Sequence, residues 1–363
     1  MFALSNHQTR FIKTLLATFS LLFLLVIACN NNPKPKKPDT NGAIIKKDST
    51  SFSDTSIVTV GALLPAADGK TIEIIFNEKE QVFTISKEEK FFAEFYRNFE
   101  AALKTKEPLK IITDPGKGSF NIVAQLTADE LKVFRNFRKE MLPGDKAIKI
   151  DVNKIDTAKF NIVGEYLKWP ALRLCTKWVP DFATAKQIFD YCAAQCCCIF
   201  GPHQVNPCIP FQYVIDGCYA RAHKMRWIIE KHFGYCSQKV FSFANVDDHK
   251  LAVNAAKWGG CCVTWWYHVT PVIQVRILRG KYFQTVAYVI DPGMFNQPVT
   301  LSTWLQAQEN IACYNKAKVD WYSIQPSSAY TPSYPNGAPF ATDPNYVLTN
   351  ATLINYAGLQ TCN

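Results

Sequence analysis

The chain has 363 residues, 48% of them hydrophobic, and a formal net charge of +10. That is enough apolar content to bury one large core or two ordinary ones, and it excludes disordered and fibrous classes. The lysines and arginines are scattered, with no basic helix, zinc finger or aromatic RNA-binding signature beside them. The charge therefore reads as a solvated surface, and a nucleic-acid partner is not expected.

The first segment stands apart. Arg10 and Lys13 precede an apolar run from Leu15 to Ala28 that is short for a membrane span and reads as a secretory signal over 1–28. It ends in Val26-Ile27-Ala28-Cys29, which resembles a bacterial lipobox, where the cysteine is lipidated and becomes the mature N-terminus. An ordinary signal peptide or an uncleaved anchor is the alternative. Residues 29–55, rich in Asn, Pro, Lys and then Ser, Thr and Asp, lack the apolar periodicity that would bury a face and read as a tether. The expectation is an exported protein, anchored by lipid to the cell envelope at the periplasmic or outer-membrane surface. In such an oxidising compartment most of the 13 cysteines should be paired. Setting Cys29 aside leaves an even number, so one working thiol requires a second cysteine that is free or paired outside the chain.

Residues 56–166 form the next region, a small α+β domain that contains neither cysteine nor histidine. Strands are expected near 57–64, 71–76, 81–85, 109–113, 120–126 and 147–152. Ser86 and Glu89 have capping-box spacing, and a following helix would place Phe92, Phe95, Tyr96, Phe99, Ala102 and Leu103 on one face. Thr127 and Glu130 repeat the device, with Leu126 and Leu131 as a hydrophobic staple. No chemistry is visible in this region.

Residues 167–363 hold the other cysteines and five of the six histidines, so a site should be sought there. Asp181 is placed to cap a helix through Ala185, Ile188, Phe189 and Cys192, and a second helix should run from Cys218 to about His232. Long β-branched and aromatic runs over 239–244, 262–278 and 282–290 read as strands. The Ser, Thr, Pro, Asn and Tyr-rich tail after Pro326 reads as loops with short strands.

Asp216-Gly217 is a turn signal, which sets Cys218 in the first turn of a helix. There the positive end of the helix dipole and unpaired N–H groups favour a thiolate, lower its pKa and can hold a developing oxyanion. A thiolate nucleophile also needs an imidazole, and the imidazole an orienting acceptor. If Arg279-Gly280 is the hairpin turn, His268 lies directly opposite Asp291. If Gly280-Lys281 is the turn, His268 faces Gly293 and is diagonal to Asp291 on the same sheet face. Individually, Cys218 fits half of a disulfide, His268 a strand residue bonded to a carbonyl, and Asp291 an Asx turn before Pro292. Their joint order, a nucleophile at a helix start followed by histidine and aspartate on paired strands, favours a site.

The segment from Cys208 to Met225, with Asp216-Gly217-Cys218-Tyr219-Ala220-Arg221-Ala222-His223-Lys224 at its centre, resembles the nucleophile region of bacterial protein glutaminases. Gly260 to Val269, Val289-Ile290-Asp291-Pro292 and Pro298-Val299-Thr300 resemble the histidine and aspartate segments of that family in the same order. The resemblance is good over about 208–305 and weak on the flanks. It implies a papain- and transglutaminase-like α+β fold, with a nucleophile helix packed on an antiparallel sheet, and hydrolysis of the side-chain amide of protein- or peptide-bound glutamine with release of ammonia. It also implies Cys218 as nucleophile, His268 as general base and acid, Asp291 as the residue orienting the imidazole, and no cofactor. Since such enzymes are made with a pro-region that occupies the cleft, 56–166 is expected to inhibit the catalytic half until proteolysis between about 163 and 178. A permanent accessory domain is the alternative.

The cluster Cys192, Cys196, Cys197, Cys198, His203 and Cys208 carries metal-ligand residue types, but without the paired spacing of structural zinc sites. Disulfides are expected there, no metal site is assigned, and Cys261 and Cys262 are expected bridge members too. His223 and His232 lie on the nucleophile helix, where exposure is the commoner fate and lining the cleft the alternative. Trp265 and Trp266 should point to opposite sheet faces. Rival functions are transglutaminase crosslinking, a thiol peptidase or peptidoglycan amidase, and a noncatalytic disulfide-rich surface-binding lipoprotein.

Overall fold

A computed structural model describes residues 54–114, 118–141, 175–199 and 201–362. The signal segment, Cys29, nearly all of the tether, the expected strand at 147–152 and most of the expected cleavage region lie outside the described residues. Among the described residues no helix is long and apolar enough to cross a membrane.

The N-terminal part is built of two three-stranded antiparallel sheets and two helices. β2 (Val60–Pro65), β3 (Thr71–Phe76) and β4 (Phe83–Ser86) make one sheet; β1 (Asp54–Val58), β5 (Leu109–Thr113) and β6 (Phe120–Gln125) make the other, in the order β1-β5-β6. The expected strand over 57–64 is thus two strands. They are separated at Thr59, whose N–H and hydroxyl both donate to Glu78. α1 (Phe92–Thr105) buries Phe95, Phe99 and Ala102 against both sheets. Ser86 and Glu89 do bond to each other, Ser86 N–H donating to Glu89 Oε1 at 3.1 Å, but they close a turn and the helix begins only at Phe92. Thr127 and Glu130 behave as expected: each accepts from the other's N–H, at 2.9 and 3.2 Å, at the start of α2 (Ala128–Met141). Those bonds hold the Glu130 carboxyl down at about 2.

The period-two alternation of β3 decides how this part serves the rest. Ile72, Ile74 and Phe76 face α1, while Ile75, on the opposite face, joins the core of the C-terminal part. Ala62 of β2 does the same, and at Gly61 an added Cβ would lie 2.8 Å from Tyr334 Cβ, so the strand needs glycine for this approach. Between β3 and β4 the loop 77–82 runs into the C-terminal part, with Lys79 and Glu80 buried at its tip.

The C-terminal part centres on a five-stranded antiparallel sheet of β7 (Gln238–Phe243), β10 (Tyr267–Arg279), β11 (Tyr282–Val289), β12 (Val299–Thr300) and β13 (Trp321–Pro326), in the order β12-β11-β10-β7-β13. β8 (Leu251–Asn254) and β9 (Cys262–Trp265) form a separate ribbon. The expected run over 262–278 therefore breaks at Trp266, whose backbone N–H donates to Glu80 O and not to a strand neighbour. α3 (Phe182–Ala193) is capped by Asp181, which accepts from Thr184 N–H at 2.7 Å, and buries the four residues its spacing indicates. α4 (Cys218–Trp227) passes into a π-helical turn, Ile228–His232, and is buried from Cys218 through Met225 between the sheet and α6 (Val347–Tyr356). α6 corrects the reading of the tail as loops and short strands. Tyr346 offers it no side-chain cap; Asp343, further back, accepts from Leu348 and Thr349 N–H instead. α5 (Leu301–Gln306) begins at Thr300, whose hydroxyl accepts from Thr303 N–H.

This arrangement is α+β, a nucleophile-type helix packed on an antiparallel sheet with a further α+β part in front, as the sequence indicates. Five disulfides cross-link the C-terminal part: Cys175–Cys236, Cys196–Cys198, Cys197–Cys208, Cys261–Cys362 and Cys262–Cys313. Among the described residues the free thiols are Cys192 and Cys218, matching the parity argument. Phe99 is fully buried among the rings of Phe76 and Phe120. Phe99→Ala is expected to lower unfolding free energy by about 3–5 kcal/mol in chemical denaturation.

Candidate active site

Gly217 starts α4 with φ 89°, and an added Cβ there would lie 2.9 Å from the Tyr356 ring. Both facts require glycine, and together they press the first turn of the helix against α6, with Cys218 at its start. On the sheet, Arg279 pairs with Tyr282 and Val272 with Val289, so the turn is Gly280-Lys281. His268 is therefore diagonal to Asp291, the second of the two registers considered. The regular ladder ends at Val289, and the chain turns at Asp291, whose carbonyl accepts from Met294 and Phe295 N–H.

The side chains converge. His268 Nε2 lies 2.9 Å from Asp291 Oδ2, and that oxygen also accepts from the Trp304 indole N–H at 3.0 Å. The imidazole is layered between Trp265, 4.6 Å away and 11° from parallel, and Trp304 at 5.6 Å. Trp265 is fixed in turn by its indole N–H, which donates to Val214 O at 3.0 Å. These contacts fix the plane of the ring, and its other nitrogen, Nδ1, lies on the side of Glu80 and Cys218. All three residues named from the sequence are brought together and buried.

The space between Cys218 and His268 is filled by Glu80, from the loop between β3 and β4. Glu80 Oε1 accepts from Cys218 N–H at 3.0 Å and from Arg221 Nη2 at 3.3 Å; Oε2 lies 3.3 Å from His268 Nδ1. Donor atoms of Glu80, Cys218 and His268 all lie within 4.8 Å of one another. These are cation-ligand types, but the two carboxylate oxygens already have N–H partners, and hydrogen bonding accounts for the geometry.

The loop is held along its backbone as well. Glu80 N–H donates to Asp216 Oδ1 at 3.0 Å, Trp266 N–H to Glu80 O at 3.1 Å and the Trp266 indole to Lys79 O at 2.7 Å. Gln81 bridges antiparallel to Trp265. Trp265 and Trp266 divide as alternation requires, one against the imidazole and the other against the inserted loop.

Burial and charge set the protonation states. Burial opposes charge on His268, but the Asp291 and Glu80 carboxylates outweigh it and raise the imidazole from 6.5 to about 8. Burial raises the Glu80 carboxyl, with partial relief from His268 and Arg221. Asp291, although buried, is held below its ordinary value by His268 and Trp304. The Cys218 thiol is pushed well above its usual value by burial and by the Glu80 carboxylate. This reverses the lowered pKa expected from the helix start: the dipole acts on Cys218, but desolvation beneath the loop is the larger effect.

Sequence reasoning missed Glu80, Arg221, Asp216 and Trp304. Arg221 and Asp216 lie within the motif that carries the resemblance, and Arg221 is anchored by donating to Tyr213 O and Asp216 O at 2.6 and 2.7 Å. Glu80 carries no local signal. His223 is not an exposed helix residue: it is buried, with Nε2 3.0 Å from Asp343 O and Nδ1 2.7 Å from Lys239 Nζ, outside this cluster. His232 is exposed and stacks on Tyr191 at 4.1 Å.

A family model described as glutaminase matches residues 185–308, the span that holds Cys218, His268, Asp291 and Trp304. A crystal structure of pro- protein-glutaminase is 25% identical and has a TM-score of 0.61, covering 86% of this chain and 96% of that one. The chain belongs to the protein-glutaminase family. A mutant of pro- protein-glutaminase is similar at 26% identity and TM-score 0.60, over 85% of this chain and 94% of its own. Protein-glutaminase from Chryseobacterium proteolyticum is 32% identical over 52% of this chain and 93% of its own, with a TM-score of 0.44. No curated protein matches. The two pro- protein-glutaminase structures match over a share of the chain that the C-terminal part alone does not reach, so the N-terminal part belongs to the shared architecture.

The raised His268 gives a signed pH dependence. Its contribution to stability is full below 6.5 and is lost as pH rises through about 8. Unfolding free energy of the full chain is expected to fall by about 2 kcal/mol more than that of His268→Gln across this window, read from denaturation at each pH.

Proposed function

We propose that the protein hydrolyses the side-chain amide of glutamine in proteins or peptides to glutamate and ammonia, with Cys218 as nucleophile, His268 as proton carrier and Asp291 as its orienting carboxylate. The observation that carries this is the pose of Glu80. A glutamine side chain in the same place would set its carbonyl oxygen between Cys218 N–H and Arg221, and its nitrogen at the imidazole. Those are the positions an oxyanion and a leaving amine require.

The steps follow from that pose. The Cys218 sulfur, its proton passed to His268, attacks Cδ. The oxygen gains charge and is stabilised by Cys218 N–H and the Arg221 guanidinium. His268 then gives its proton to nitrogen as the Cδ–N bond breaks, ammonia leaves, and a γ-glutamyl thioester remains. Water takes the vacated place, loses a proton to His268 and attacks Cδ. The C–S bond breaks, the sulfur recovers a proton, and glutamate is released. Asp291 supports the imidazolium at each proton transfer, and the two indoles keep Nδ1 directed at the sulfur.

In this form the N-terminal part acts as an inhibitor, since its loop fills the acyl site and raises the thiol. Activation is proteolytic removal of that part between about 163 and 178. A cut before Cys175 keeps the Cys175–Cys236 disulfide with the catalytic half. Export and lipidation at Cys29 are part of the same reading, supported by the Val26–Cys29 pattern and by five disulfides suited to an oxidising compartment. The lipid then stays with the N-terminal part and the catalytic half is released.

The full chain carrying Glu80→Gln places a glutamine in the site. It is expected to convert that introduced glutamine to glutamate in a single turnover, read by intact mass and peptide mapping, with ammonia released and the backbone intact. Adding Cys218→Ala should slow conversion by about four orders of magnitude or more. An introduced glutamine that persists beside a reduced, native Cys218 overturns the reading, and new peptide ends at the site favour a peptidase.

A further inference from the structure

We propose that the residue directly before the target glutamine has its own subsite, formed by Asp216 and Tyr356, which selects a lysine or arginine there. The preferred substrate is then a protein segment in which a cationic side chain immediately precedes the glutamine. This rests on the reading of Glu80 as the occupant of the glutamine site.

Lys79 precedes Glu80, and its ammonium group is almost wholly withdrawn from solvent. Burying a lysine is costly unless it is paired, so its surroundings show what the site is built to accept. Lys79 Nζ lies 3.3 Å from Asp216 Oδ2, donates to the Tyr356 hydroxyl at 2.6 Å and sits 5.3 Å from the centre of that ring. Tyr356 in turn donates to Asp216 Oδ2 at 2.6 Å, and the Tyr219 hydroxyl approaches the same oxygen at 3.4 Å. The carboxylate is thus shared: Oδ1 holds the backbone N–H of the target residue, and Oδ2 the side chain of the residue before it.

Every group of this subsite belongs to the C-terminal part and remains when the N-terminal part departs. The bonds from Trp266 to Glu80 O and Lys79 O read only backbone and can be made by any sequence. Selection falls on the cation. An acidic side chain there would put a second carboxylate beside Asp216 out of water, and an apolar one would leave Asp216 Oδ2 without its cation. Arginine keeps the charge and can span both Asp216 and the tyrosine hydroxyl. On the other side of the target, Gln81 is half-buried and is held through a backbone bridge.

The test uses the full chain in the Glu80→Gln background and reads by mass the rate at which the introduced glutamine is converted. Lys79→Arg should stay within about threefold of the parent, while Lys79→Ala should fall about tenfold or more and Lys79→Glu further. Moving the cation, with Lys79→Ala and Gln81→Lys together, should not restore the rate. In an Asp216→Asn background the cost of Lys79→Ala should largely vanish, which a merely structural role of Lys79 would not produce. Lys79→Ala and Lys79→Glu converting at the parent rate, or a cost undiminished by Asp216→Asn, overturn the subsite. Failure of the parent to convert at all is a different result: it removes the deamidation reading, and the subsite with it.

Discussion

One buried carboxylate organises the middle of this molecule. Glu80 reaches from the N-terminal part into a space where water is excluded and finds three positively polarised partners, the Cys218 amide at the start of a helix, the Arg221 guanidinium and the His268 imidazole. A carboxylate withdrawn from water is tolerable only with such a set, and each partner is fixed by something further back. Arg221 is tied to the backbone of Tyr213 and Asp216, the helix start is pressed in place through Gly217 and Tyr356, and the imidazole is clamped between indoles with Asp291 behind it. The loop is therefore received by a cleft whose polar groups are already aimed.

The same insertion that fills the cleft changes its chemistry. With Glu80 present, the imidazole has a carboxylate on each nitrogen and holds its proton to higher pH, while the thiol is raised by burial and by the adjacent negative charge. A nucleophile without its charge and a base that is already protonated make a resting pair. Removing the loop removes the desolvation and one of the carboxylates together, so the dipole of α4 and the remaining Asp291 would then govern the site. Filling the cleft and raising the thiol are one physical event here.

The C-terminal site is legible in the sequence because its parts leave local marks. Asp216-Gly217 announces a helix start at Cys218, and strand periodicity brings His268 and Asp291 to one sheet face in either hairpin register. What decides between the registers is the positive φ of Gly280, 62°, within a Gly280-Lys281 turn, which the sequence alone permits but does not require. α6 escapes notice because its capping carboxylate, Asp343, stands apart from its first residue. Glu80 is invisible for a deeper reason. A glutamate in a polar loop between strands looks like any solvated residue, and its burial is created by β3 presenting alternate faces to two cores, a consequence of tertiary packing. The absence of cysteine and histidine from that region removes the commonest nucleophiles and bases, but says nothing of a residue that occupies the cleft of another part.

That the inserted residue is glutamate and not glutamine has a chemical consequence. The geometry around Glu80 would let a thiolate approach Cδ, with an oxygen in the place of an oxyanion and another at the proton donor. An ionised carboxylate is a poor electrophile, however, because its charge is spread over both oxygens and repels the sulfur, and attack would have to expel hydroxide, or water with a proton from His268, which is the uphill reverse of thioester hydrolysis. Glu80 has the shape of the product and the charge that the site binds, so it can rest against Cys218 without being consumed. A carboxylate in this position satisfies the polar groups of the cleft, keeps the thiol protonated and offers no bond to break. A single side chain thereby meets three requirements of a stable occupant of this cleft.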